Sequence, residues 1–154
     1  MQDFRDEEFL LADGLSFDWQ NTDRLVIEGR IRCHGDLFID VETFLAVRVA
    51  GDQRQVRTVR YTYHAGVEGS QDRSVFRYDN FHAYSREGHA DAHRKHVFDH
   101  ATWKVKTPPE WIGAARWPHL SDVIEELRQW WETTGRRLDL GHRADDLTTD
   151  TGSR

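Results

Sequence analysis

Leu37, Ile39, Val41, Thr43, Leu45, Val47 and Val49 recur at every second position, with Asp40, Glu42 and Arg48 falling between them. Successive side chains of a strand point to opposite faces, so this spacing predicts a long strand with one apolar and one charged face. An antiparallel sheet leaves one face to water but must cover the other. One later segment is suited to that task. Leu120, Val123, Ile124, Leu127, Trp130 and Trp131 fall on one side of a helix. Ser121 reads as its N-cap, Asp122 as a favourable first-turn acid, and Gly135 as its stop. The expected packing lays a helix near 119–134 across Leu37, Ile39 and Val41.

The flanking segments extend the sheet. Leu25, Ile27, Ile31 and Cys33 alternate with charged residues, with Gly29 as a bulge or close-contact point, and Gly35-Asp36 turns the chain. After the turn at Gly51-Asp52, a third strand from Val56 to Ala65 puts Val59, Tyr61 and Tyr63 on one face and Thr58, Arg60, Thr62 and His64 on the other. A loop over 66–72 leads to a fourth strand, Ser74 to Asp79, and Val97-Phe98 with Trp103-Lys104-Val105 offers a fifth. Parallel strands need crossovers of about a dozen residues or more, so these short connections imply a meander. The expected fold is α+β: an antiparallel β-meander of four to five strands covered by a C-terminal amphipathic helix. Residues 1–138 form one domain, 1–20 read as a lead-in with a turn of helix or a short strand, and 139–154 read as a disordered tail.

Composition bounds the function. The chain of 154 residues has a single domain's length, and its six Trp and eight Phe compensate for a hydrophobic content of only 38%. No apolar run nears the roughly 20 residues that span a bilayer, and the N-terminus is acidic where a signal peptide is basic. A cytoplasmic protein with no membrane partner is expected. Cys33, alone and within an apolar alternation, reads as a buried inert thiol. The net charge of −6 hides a split: residues 1–53 carry 12 acids and 5 bases, residues 54–104 carry 6 acids and 9 bases. A basic region on an acidic protein favours a focused anionic ligand.

That basic region holds the chemistry. Five of the nine histidines lie between 82 and 100, interleaved with Arg77, Arg86, Arg94 and Lys95. Histidine exchanges protons near neutral pH and is the commonest metal ligand, while arginine matches phosphate geometry. Acid/base groups beside anion-holding groups are what phosphodiester chemistry requires.

Arg77-Tyr78-Asp79-Asn80, then His82, then the cluster His93-Arg94-Lys95-His96, resembles the TumE family of toxin-like proteins from bacterial and archaeal toxin–antitoxin pairs. The resemblance covers roughly residues 56–132. This chain departs from the family at Phe81-His82 and His93-Arg94, where paired histidines are more usual, and in a longer insert between the two clusters. The resemblance implies a short α+β protein that acts on RNA and is neutralised by a cognate antitoxin protein, with a homodimer left open.

Three readings of the cluster follow. In a metal-independent ribonuclease, His82, His93 and His96 are the acid/base candidates, Arg77, Lys95 and Arg94 hold phosphate, and Asp79 and Asn80 orient a histidine or the ribose. In a metal-dependent hydrolase, His89, His93, His96 and His100 lie on one face of a helix and chelate a divalent ion such as Zn²⁺, with Asp79, Asp91 and Asp99 in support. In the third, the same residues are a solvated surface for a protein partner. His34, His119 and His142 read as structural or tail residues, and Tyr61, Tyr63 and Tyr78 as sheet aromatics.

Overall fold

The computed structural model describes residues 8–81, 92–138 and 140. Seven antiparallel strands follow one another in chain order across one sheet: β1 (Leu10–Asn21), β2 (Arg24–Cys33), β3 (Leu37–Ala50), β4 (Gln53–Val67), β5 (Arg73–Asp79), β6 (Arg94–Val97) and β7 (Glu110–Trp111). Helix α1 (Leu120–Thr133) and a short 3₁₀ turn (Gly135–Arg137) follow. The meander and its helical cover are as the periodicity implies, but the strands number seven rather than four or five.

Two additions explain the difference. The segment read as a lead-in is β1, an edge strand of 12 residues. Most of it is exposed, so burial imposes no alternation for a sequence reader to find. Gly29 supplies the close contact by which β1 joins β2: its φ is +143°, and a Cβ there would meet the Gly14 carbonyl oxygen at 2.2 Å. No register shift occurs at that glycine. The second addition comes from the region read as a fifth strand. Trp103 has φ 57° and breaks the run, leaving only a bridge between Phe98 and Val105, while Arg94–Val97 and Glu110–Trp111 supply β6 and β7.

The core sits between the sheet and α1. Leu37, Ile39 and Val41 join Tyr61, Tyr63, Phe76 and Tyr78 on one sheet face, against Val123, Ile124 and Leu127. The stripe on β3 does not stay buried to its end. The register shifts by one residue between Phe44 and Leu45, where Val59 is the extra residue on β4, and Val49 beyond it is exposed. The helix begins two residues earlier than an N-cap at Ser121 would allow: His119 is the N-cap, and Asp122 accepts its backbone N–H at 2.8 Å. At the helix-facing side of the sheet, Tyr78 donates to Glu126 Oε2 at 2.6 Å and Lys95 pairs with Glu126 Oε1. The predicted disordered tail over 139–154 falls outside the described residues, apart from Leu140. Among the described residues no helix is long and apolar enough to cross a membrane.

Candidate functional site

Strand register builds the site. Asp40, His64, Arg77 and His96 occupy successive paired positions across β3, β4, β5 and β6. The next row on the same face is Glu42, Thr62, Asp79 and Arg94. Because Arg77 and Asp79 are two apart on one strand, and Arg94 and His96 two apart on its neighbour, all four side chains meet on the face away from α1. The intervening Tyr78 and Lys95 point to the helix instead.

Asp79 is the hub. It is 2% exposed, and it accepts from Arg94 Nε at 2.9 Å, Arg77 Nε at 3.1 Å and the Phe81 backbone N–H at 3.4 Å. His96 Nε2 stands 3.5 Å from its Oδ2. A buried carboxylate is tolerated only with partners of this kind. Both arginines bind it through the inner nitrogen, and among the described residues no protein partner takes their terminal nitrogens. Arg77, Asp79 and Arg94 line one end of a groove of about 920 Å³.

The other end of the groove is charged oppositely. Arg30 meets Asp40 at 2.6 and 2.8 Å, Asp72 at 3.0 Å and Glu68 at 3.2 Å, so three carboxylates surround one guanidinium. The hydrogen bond to Asp40 contributes most to raising the Arg30 pKa. An anion entering the groove is thus repelled from the Arg30 end and drawn to the Arg77–Arg94 end.

His64 lies between the two ends. Its Nε2 is 2.8 Å from Ser74 Oγ and its Nδ1 is 3.7 Å from Asp40 Oδ2. Burial lowers its pKa below the ordinary 6.5; Asp40 and Asp72 oppose that shift, and Arg77 and Arg30 reinforce it. The folded state then holds fewer protons than the unfolded state as pH falls through 6.5. The stability His64 contributes is present above that pH and is lost as pH falls through the lowered folded value. We expect His64→Gln to reduce the drop in melting temperature between pH 7.5 and 5.5. Equal drops in variant and wild type would assign the pH dependence to other groups.

Of the residues singled out from sequence, Arg77, Asp79, Arg94 and His96 come together. Asn80 serves the backbone: its Oδ1 accepts the Tyr61 N–H at 2.9 Å, and its Nδ2 donates at 3.2 Å to the carbonyl of Val59, the residue at the register shift. His93 lies on the helix side, with Nδ1 2.9 Å from Tyr61 Oη and its ring stacked on Tyr61 and Trp117. Lys95 is on that side too, paired with Glu126. His100 is exposed in a turn closed by Asp99, which accepts from the backbone of Ala101 and Thr102. His82, His89 and Asp91 lie outside the described residues. The helical spacing that would align the histidines as metal ligands is not formed at 93–97, because β6 separates His93 from His96. Among the described residues no group of three or more His, Cys, Asp or Glu side chains is placed to hold a metal ion.

Sequence reasoning placed His64, Thr62 and Arg60 on the polar face of their strand but gave them no part in the site. The missing signal was register: pairing β4 with β5 sets His64 opposite Arg77 and Thr62 opposite Asp79.

A protein-family model described as Toxin TumE matches residues 2–134, reaching through β1 and well beyond the stretch on which the resemblance rested. No curated protein and no solved structure gives a significant match.

Proposed function

Given that the chain belongs to the TumE toxin family, we propose that it is the toxin of a toxin–antitoxin pair and that it cleaves RNA on the polar face of its sheet. The observation that supports this most is the convergence of Arg77, Arg94 and His96 on the buried carboxylate of Asp79 at the rim of a groove.

In this reading the terminal nitrogens of Arg77 and Arg94 hold the scissile phosphate and stabilise the charge that develops on its oxygens. The ribose 2′-hydroxyl attacks phosphorus as a histidine removes its proton, and a second proton goes to the departing 5′-oxygen. His96 takes one of these proton transfers. His82, next in sequence after the groove-lining Phe81, is the candidate for the other. Asp79 acts through its partners as a positioning residue. His93 and Lys95 stabilise the helix–sheet packing, and no step requires a metal ion. A cognate antitoxin protein is the expected restraint on the activity.

Induced expression in a bacterial host, with growth and total RNA integrity followed together, tests the proposal. Wild type should arrest growth and degrade RNA, and the purified protein should cleave RNA in the presence of a chelator. Arg94→Gln should weaken RNA binding and reduce the slope of log affinity against log salt by about one. Intact growth and intact RNA on wild-type expression would favour a non-enzymatic binding protein.

A further inference from the structure

Beside the Asp79 hub an arginine lies over two aromatic rings, and the proposed cleavage reaction does not use them. Arg60 pairs across the strands with Phe44, one same-face position along from the row that holds Thr62 and Asp79. Its guanidinium carbon lies 4.1 Å from the centre of the Phe44 ring and 4.4 Å from that of Phe81. Glu42 Oε1 accepts from Arg60 Nη2 at 3.3 Å and restrains the plane further.

An exposed aromatic side chain is ordinary by itself. Phe81 is 45% exposed, yet its position is fixed on two sides: Arg60 covers its ring, and its backbone N–H is bound to Asp79. It also lines the groove that holds Arg77 and Arg94. One same-face step along a strand is about 7 Å, comparable to the separation of a nucleobase from an adjacent phosphate.

We propose that Phe81, backed by Arg60 and Phe44, is a stacking platform for a nucleobase next to the phosphate held by Arg77 and Arg94. The inference rests on the reading of this groove as an RNA site and adds the class of substrate: single-stranded RNA, whose unstacked bases are free to turn onto an aromatic face. Paired bases in a duplex do not present that face. Phe81 then sets substrate form and contributes affinity without taking part in proton transfer.

The test is binding of a fluorescently labelled 2′-O-methyl oligoribonucleotide, which lacks the attacking hydroxyl, followed by anisotropy on the full chain. Stacking of one base is worth a loss of about 5- to 150-fold on truncation. Phe81→Leu should weaken binding by that order and leave the salt slope unchanged, whereas Arg94→Gln should lower the slope. Phe81→Trp should restore affinity, which also controls for folding. An abasic residue at one position of the oligonucleotide should reproduce the loss, and Phe81→Leu should add nothing to it. If Phe81→Leu binds like the wild type, or no single abasic position matters, the platform is refuted while the RNA reading stands. If the wild type binds no oligonucleotide, the RNA reading fails and takes the platform with it.

Discussion

Asp79→Ala is expected to lower stability by about 3–5 kcal/mol and to abolish RNA cleavage, because it removes the one carboxylate on which two guanidiniums and an imidazole converge. The two arginines do not share the cost equally. The Arg77 side chain is 40% exposed, so solvent screens its loss, whereas Arg94 is 15% exposed and keeps most of the uncompensated charge. In a domain of this size the change corresponds to a melting temperature lower by roughly 10 °C or more. Asp79→Asn keeps the shape and should fall between variant and wild type. Adding Arg94→Leu to Asp79→Ala should recover part of the loss, since the unpaired charge goes with it. Chemical and thermal denaturation of the four proteins measure the stabilities, and an RNA cleavage assay measures the activity. An Asp79→Ala protein that unfolds at the wild-type midpoint would show that the hub contributes nothing to the fold.

How much of this was legible follows from what sets each feature. Elements fixed by one-sided burial were: the stripe on β3 is held by α1, and the apolar side of α1 is held by the sheet. The strand β1 was not, because it is an exposed edge and its residues carry no two-faced signature. Within the site, Arg77 and Asp79 could be placed together from spacing alone. Their meeting with Arg94 and His96 depends on register across a segment of more than a dozen residues, which no local pattern encodes. That register also decides which members of His93-Arg94-Lys95-His96 reach Asp79. As a four-residue strand, β6 sends Arg94 and His96 to Asp79 and leaves Lys95 to Glu126. The charge split had a similar limit. It marked the basic part of the chain but not the acidic cluster at Arg30, which Asp40 on β3 and Glu68 and Asp72 in the loop between β4 and β5 assemble from two separate parts of the sequence.

His93 and His96 give the sharpest separation of structure from chemistry, since they are three residues apart and serve opposite faces. Substituting a general acid or base costs about 10²–10⁴-fold in rate, and we expect His96→Ala to show a loss of that order in single-turnover RNA cleavage. Its melting temperature should fall much less than that of Asp79→Ala, because Arg77 and Arg94 still hold the carboxylate. His93→Ala should do the reverse. It removes a hydrogen bond to Tyr61 Oη and a ring stacked on both Tyr61 and Trp117, which together are worth about 1–3 kcal/mol of stability. The cleavage rate of the fraction that remains folded should change little. The two measurements cross, so neither a general loss of structure nor a general loss of activity reproduces the pattern. If His93→Ala stops cleavage while His96→Ala leaves it intact, with both proteins folded, the chemistry belongs to the helix face, and the Asp79 hub is a structural ion-pair network.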